Sequence, residues 1–230
     1  MPNFSSFESK IHISFNDKNL LKQAFVHRSY INENSGLSFS HNERLEFLGD
    51  AVLELIVTEY LYAKYPNHNE GELTAFRSAL VNAVLLSEVA SEFGMNDYLL
   101  LSRGETKDVG KARQYILANT YESFVGALYL DQGYEKTKSF IKTSLLVCVD
   151  EIVSKKLWRD AKSFVQEKAQ EQFSVTPSYR VLREVGPDHD KQFTIGIFFG
   201  EEQIATGSGK SKQEGEQKAA EKALVVKKWG

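Results

Sequence analysis

Hydrophobic positions in the first two thirds of the chain recur at the spacing of an α-helix. Residues 43–63 show this most clearly, because an apolar stripe runs along one face of the helix that they predict: Leu45, Leu48, Val52, Leu55 and Ile56. Pro66 follows this segment and ends the pattern. The same period recurs in three further segments: 71–93, 111–130 and 134–153. We therefore predict a helical domain that occupies residues 1–153.

The hydrophobic pattern changes after residue 153. Residues 160–172 predict a short amphipathic helix, and a second helix, Lys212 to Lys227, closes the chain. Between them lie three strand-like stretches, separated by glycine-containing turns: Tyr179–Val185, Phe193–Phe199 and Gln203–Thr206. The order predicts a small α+β (α-β-β-β-α) domain at residues 158–230, which follows the all-α domain after a short polar linker.

Composition excludes several classes of protein. The chain has no run of about 18 apolar residues and its first residues lack the pattern of a secretory signal, so we expect no membrane partner and a cytoplasmic location. Cys148 is the only cysteine, which leaves no disulfide within the chain and no thiolate zinc site.

Charge is divided unevenly along the chain. Residues 1–154 hold 14 basic and 20 acidic residues, a net charge of −6, whereas residues 155–230 hold 14 and 11, a net charge of +3. An acidic half beside a basic half is compatible with a metal site next to a module that binds a polyanion. Solvated charged faces explain the same numbers.

Acidic residues cluster on one predicted helix. Glu43, Glu46 and Asp50 lie at i, i+3 and i+7, so they share a face on which like charges repel one another. Asn119 and Glu122 form a second pair, at i and i+3, on a helix that is otherwise apolar. Oxygen ligands of this kind select Mg²⁺ or Mn²⁺, and two such helices could enclose one metal. A solvated acidic face is the alternative interpretation.

Four segments of the first domain resemble the ribonuclease III family, in the order expected for that family. The most specific is HNERLEFLGDAVLELI at residues 41–56. The other three are AFVHRSY at 24–30, EGELTAFRSALVN at 70–82 and ILANTYESFVGALYLDQGY at 116–134. The resemblance extends over nearly the whole chain, since the second domain also matches a module of that family.

The resemblance implies roles for individual residues of the first domain. The family's four metal-site positions match Glu46, Asp50, Asn119 and Glu122, of which Asp50 and Glu122 match the two most closely tied to catalysis. Asn119 is a departure, because the family usually has aspartate there; a carboxamide oxygen still ligates a hard cation but carries no charge. Acidic positions beside the cleavage site match Glu43 and Glu70, for which a salt bridge or a helix cap is the alternative role. Arg103 and Lys107 are candidates for holding a backbone phosphate, or are exposed loop charges.

Residues 186–224 resemble a double-stranded-RNA-binding domain. A phosphate-binding role is implied for Lys210, Ser211 and Lys212, where backbone N–H groups and ammonium charges meet at a helix N-terminus. The resemblance implies minor-groove contacts from Gln166 and Glu167 on the first helix, and from Pro187 and His189 in the loop. Gln213 departs from the pattern, because the family often has lysine at that position.

The family resemblance implies a homodimeric endonuclease that cuts double-stranded RNA with Mg²⁺ or Mn²⁺. Its products would carry 5′-phosphate and 3′-hydroxyl ends with a short 3′ overhang, and its substrates would be ribosomal RNA precursors and structured messengers. One alternative is a double-stranded-RNA-binding protein whose nuclease site has decayed at Asn119. Another is a helical dimer unrelated to RNA.

Overall fold

The chain divides into two compact units, Met1–Trp158 and Arg159–Gly230, in the computed structural model. The structure describes residues 2–34, 36, 39–107, 109–156, 158, 160–187 and 191–229. Each unit has its own hydrophobic core.

The described residues of the first unit form helices and loops, with an isolated bridge between Val26 and Leu100. Its described helices are α1 (Phe4–Ile11), α2 (Lys18–Ala24), α3 (Arg28–Glu33), α4 (Glu43–Lys64), α5 (Glu70–Leu80), α6 (Ala83–Glu92), α7 (Arg103–Lys107), α8 (Lys111–Ser144) and α9 (Val149–Ser154). Short 3₁₀ turns at Met95–Tyr98 and Leu146–Cys148 connect neighbouring helices. The long helices α4 and α8 pack against each other through the core, where Leu53, Ile56 and Phe124 are fully buried.

Two of the predicted helices are interrupted. The segment 71–93 forms α5 and α6, because the side chain of Asn82 accepts a hydrogen bond from the Leu85 N–H and caps a new helix. The segment 134–153 joins α8 and ends at Ser144, before the 3₁₀ turn and α9. Gly133 kinks α8 with a φ of 76°, a value that glycine adopts without steric cost.

The second unit has the predicted order of elements. It consists of α10 (Ala161–Phe173), the antiparallel strands β1 (Ser178–Val185), β2 (Gln192–Phe199) and β3 (Glu202–Gly209), and α11 (Lys212–Lys227). Strand β2 is central, and Val165, Ile197 and Ala219 are fully buried in the core between helices and sheet. The prediction of an all-α domain followed by a small α-β-β-β-α domain is therefore confirmed.

In the part of the chain that the structure describes, no single helix is both long and apolar enough to span a membrane. One pair, α5 and α6, which is bent by 45°, reaches the required length and composition when its two helices are taken together.

Candidate functional site

Helices α4 and α8 cross with their backbones in contact. A Cβ atom added to Gly49 would overlap the carbonyl group of Glu122, and one added to Gly126 would overlap the carbonyl oxygen of Leu45. Both positions therefore require glycine, although glycine inside a helix costs about 1 kcal/mol relative to alanine. These two glycines were not among the residues predicted from the sequence. Their presence within strongly helical segments was the signal that could have revealed a close approach of two helices.

The crossing brings together the four side chains that were predicted to hold a metal. Glu46 and Asp50 flank Gly49 on α4, and Glu122 and Asn119 lie on the facing part of α8. The Asn119 carboxamide lies close enough to the Glu46 carboxylate to lower the pKa of that group. Glu46, Asn119 and Glu122 are half-buried, whereas Asp50 is exposed. A polar site with one solvent-facing carboxylate is thus built on two rigid helices.

Ionising the carboxylates at the crossing is unfavourable, because they are partly buried and close to one another. Burial raises the pKa of Glu122 to about 8, and the neighbouring carboxylates of Asp50, Glu46 and Glu54 add to that increase. Burial also raises the pKa of Glu46, as do the charges of Glu43 and Asp50, while the nearby Asn119 carboxamide opposes the shift. A bound cation would remove this penalty, so the donor set suits a hard divalent metal.

The carboxylates are not yet arranged as a closed metal centre. Among the described residues, no three histidine, cysteine, aspartate or glutamate side chains are placed so that they could hold one ion. Asp50 is exposed. Metal binding at the crossing would therefore require a change of side-chain rotamers.

The shifted pKa of Glu122 predicts that stability without metal falls as pH rises. Between the ordinary value of 4.5 and about 8 the folded state holds a proton that the unfolded state has released, so increasing pH disfavours folding. In EDTA, the Tm of the Glu122→Gln variant should decline less than that of the wild type between pH 4.5 and about 8. Near pH 8 the variant should therefore have the higher Tm. Glu88→Gln, at an exposed position on α6, is the matched control. Parallel Tm curves for wild type and Glu122→Gln would contradict the shift.

The remaining candidates of the first unit lie in different surroundings. Glu43 is exposed, lies 3.7 Å from Arg28, and is close enough to raise the pKa of Glu46. Glu70 begins α5 and lines a separate cavity of about 470 Å³ together with His68 and Arg77. The two ends of α7 are the exposed residues Arg103 and Lys107. No described interaction joins Glu70, Arg103 or Lys107 to the side chains at the crossing.

The RNA-contact candidates of the second unit occupy α10, α11 and the loop after β1. Gln166 and Glu167 are exposed on α10, and Pro187 is exposed after β1. Ser211 caps α11, since its hydroxyl accepts a hydrogen bond from the Glu214 N–H. Lys210 and Lys212 flank this cap and are exposed, so their charges lie at the positive end of the helix dipole. His189 lies outside the described residues.

Comparison with known proteins gives matches in both units. A family model described as ribonuclease-III-like matches residues 17–148, and the double-stranded RNA binding motif matches residues 161–226. The chain is 44% identical over 220 residues to Ribonuclease 3 of Borreliella burgdorferi, a match that covers 96% of this chain and 89% of the relative. It is 46% identical over 213 residues to Ribonuclease 3 of Enterococcus faecalis, with 92% of each chain covered.

A solved structure gives a match in the first unit. The nuclease domain of ribonuclease III from Campylobacter jejuni aligns with a TM-score of 0.56 and 37% identity, over 62% of this chain and 98% of that domain. The similarity thus extends from sequence to fold.

Proposed function

We propose that this chain is a metal-dependent endoribonuclease of double-stranded RNA, since it belongs to the ribonuclease III family. The observation that carries the proposal is the crossing of α4 and α8, where three carboxylates and a carboxamide lie together in the unit that the nuclease family model covers. The second unit supplies the means of holding the duplex, because it matches a double-stranded RNA binding motif.

The proposed metal ligands are Glu46, Asp50, Asn119 and Glu122. A divalent cation, when bound, supplies Lewis acidity and makes water a stronger acid near the scissile phosphate. Half-buried Glu46 and Glu122 fix the ligand oxygens from two helices, and exposed Asp50 faces the solvent from which the RNA approaches. Asp50 and Glu122 are the proposed catalytic residues. Hard oxygen donors favour Mg²⁺, for which Mn²⁺ should substitute.

Asn119 should tune metal affinity rather than abolish it. Its carboxamide oxygen is a donor without charge, so Mg²⁺ should bind less tightly than it would beside aspartate. Three carboxylates remain at the crossing. This disfavours the alternative of a double-stranded-RNA-binding protein that has lost its nuclease site. A helical dimer unrelated to RNA is also disfavoured, because both units match RNA-related families.

The cleavage test uses purified protein and long double-stranded RNA, with Mg²⁺ or with EDTA. We expect cutting only with Mg²⁺, to 5′-phosphate and 3′-hydroxyl ends with a short 3′ overhang. Binding without cutting in both conditions would instead favour the binding-protein alternative. The proposed substrates are ribosomal RNA precursors and structured messengers in the cytoplasm.

The proposed RNA contacts are Gln166 and Glu167, Pro187 and His189, and the triplet Lys210, Ser211 and Lys212. The two lysines should neutralise phosphates, so changing each to alanine should weaken binding and flatten the dependence of log K on log salt by roughly one unit for each phosphate that is no longer neutralised. Lys222→Ala, an exposed lysine near the other end of α11, is the matched control. An unchanged slope in the Lys210→Ala, Lys212→Ala double variant would refute the phosphate contacts.

We also propose that two copies associate through the exposed face of α4. This face carries an apolar stripe in which Phe47 is 82%, Leu55 is 58% and Tyr62 is 76% exposed. A groove of about 660 Å³ lies beside Phe47 and is lined in part by Leu20 and Leu130. The exposed Phe47 ring and the groove lie on the same face of the chain. In a dimer with two-fold symmetry, each copy can therefore place its Phe47 against the groove of the other copy. The nuclease domain from Campylobacter jejuni has a region involved in dimer formation.

Light scattering at micromolar concentration should report about twice the chain mass of 26.0 kDa. Phe47→Asp should shift the protein towards the monomer, because the pair would lose the apolar contact of the ring and would have to desolvate a carboxylate instead. Val84→Asp, at a half-exposed valine on α6, should leave the mass unchanged. A wild-type monomer that still cuts both strands in concert would refute the dimer.

A further inference from the structure

A polar notch of about 300 Å³ lies between α10, β1 and α11 of the second unit. Its walls carry three carboxamides, from Gln166, Gln213 and Gln217, together with the phenol of Tyr179 and the side chain of Lys162. Carboxamides both donate and accept hydrogen bonds. The notch therefore suits a ligand whose edge alternates donors and acceptors.

The electrostatics of the notch do not favour an anion. The Lys162 ammonium lies 2.6 Å from the Glu216 carboxylate and 5.0 Å from the centre of the Tyr179 ring, so its charge is already compensated. Asp160, which also lines the notch, adds a carboxylate that caps α10. Among the lining side chains that the structure describes, no positive charge remains in excess. A phosphate would gain little here, whereas an uncharged polar group would be well matched.

Tyr179 leaves one hydrogen-bonding group without a partner. Its hydroxyl is buried and makes no hydrogen bond among the described residues. Burial, with the nearby charges of Glu216 and Asp160, raises the pKa of Tyr179 to about 12, so the phenol stays neutral and able to donate near pH 7. A buried donor without an acceptor is unfavourable. An acceptor on a ligand that enters the notch and opens the packing around this hydroxyl would remove that cost.

The notch adjoins the residues proposed to contact the duplex. Gln166 belongs both to the notch and to the proposed minor-groove contact on α10, and Gln213 directly follows Lys212. A duplex held by these residues would therefore pass the mouth of the notch. Stacked and paired bases present only their edges in the shallow minor groove and cannot enter a concave site, whereas an unpaired base can project into it.

We propose that this notch receives one unpaired nucleobase of the bound RNA, held by the carboxamides of Gln213 and Gln217 and by the Tyr179 hydroxyl. The proposal rests on the double-stranded-RNA binding proposed above. The position of a bulge would then determine where the protein binds on a duplex, although its other proposed RNA contacts recognise only the shape of the duplex. Gln213, at a position where the family often has lysine, becomes a residue that determines specificity.

The test measures the affinity of the full-length protein, in EDTA so that nothing is cut, for three RNAs. These are a continuous duplex of about 16 bp, the same duplex with one unpaired uridine, and the same duplex with an abasic nucleotide at the bulge. Two or three new hydrogen bonds should favour the uridine bulge by about tenfold over both other RNAs. The abasic RNA separates base recognition from bending of the duplex.

Gln213→Ala and Tyr179→Phe should each reduce the ratio of affinities for bulged and continuous RNA towards one. Gln170→Ala, at an exposed glutamine on α10 outside the notch, should leave the ratio near tenfold. The inference is overturned if the wild type binds all three RNAs with equal affinity, or if its preference for the uridine bulge survives Gln213→Ala. Either result would leave the proposed function intact. Failure to bind the continuous duplex would instead overturn the proposed function.

Discussion

Asp50→Asn should reduce cleavage of double-stranded RNA by about 1,000-fold at saturating RNA and should leave RNA binding intact. Asparagine keeps the shape and one oxygen donor but removes the charge at the carboxylate that faces solvent. Losing several kcal/mol of metal-dependent stabilisation in the transition state corresponds to a loss of about three powers of ten in rate. Binding should survive because Asp50 is not among the proposed duplex contacts.

The matched control for Asp50→Asn is Glu54→Gln. Glu54 lies one turn further along α4 and also raises the pKa of Glu122, but it is not a proposed ligand. Its loss should change the rate only a few-fold. Single-turnover cleavage and binding in EDTA, measured on the same RNA, separate chemistry from affinity. Near-wild-type cleavage by Asp50→Asn would remove this residue from the metal site, and weak binding by it would indicate a different defect.

The sequence was sufficient to predict the long helices and the three strands, but it predicted neither the short helices α1, α2, α3 and α7 nor every break between the long ones. The helical period continues through Val81 and Asn82, and only the Asn82 cap shows that α5 ends and α6 begins. The period also continues past Ser144, where α8 ends because the chain turns through Leu146–Cys148 to reach the core. The hydrophobic period indicates which face of a helix is buried, but it does not indicate where packing interrupts that helix.

The sequence predicts the candidate site only in part, because spacing along the chain describes one helix at a time. Spacing places Glu46 with Asp50 on one helix and Asn119 with Glu122 on another, but it does not show that the two helices meet. That relation depends on Gly49 and Gly126, which are identified by what a Cβ atom would strike. The notch beside Tyr179 was missed because α10, β1 and α11 each contribute to it, and no single segment carries its pattern.

Gly49→Ala should destabilise the protein by about 3 kcal/mol, against the direction of helix propensity. Alanine favours a helix over glycine by about 1 kcal/mol. At this position, however, the new methyl group would overlap the Glu122 carbonyl and approach the backbone nitrogen of Gly126, both of which are backbone atoms that cannot rotate away. Overpacking of this kind forces helices apart at a cost that exceeds the gain in propensity. Urea denaturation, followed by the loss of the first unit's helical signal, measures the difference in the free energy of unfolding between the variant and the wild type.

Gly71→Ala is the matched control, because it makes the same chemical change on α5. The nearest atom to its new Cβ would be the Asn69 side-chain oxygen at 3.3 Å, in an exposed first turn. This variant should be within about 1 kcal/mol of the wild type. Similar free energies of unfolding for Gly49→Ala and Gly71→Ala would show that α4 and α8 do not need backbone contact.

Gly49→Ala should also affect function under conditions where the variant remains folded. Separating α4 from α8 moves Glu46 and Asp50 away from Asn119 and Glu122, so the metal would have to bridge a wider gap. At low temperature, with circular dichroism equal to that of wild type, cleavage should require more Mg²⁺ for half-maximal rate, and RNA binding in EDTA should be unchanged. A normal Mg²⁺ dependence in a folded but destabilised variant would show that the crossing supports the fold without setting the metal site. A shifted dependence would tie Gly49 to catalysis through the spacing of the helices, although a glycine offers no side-chain ligand of its own.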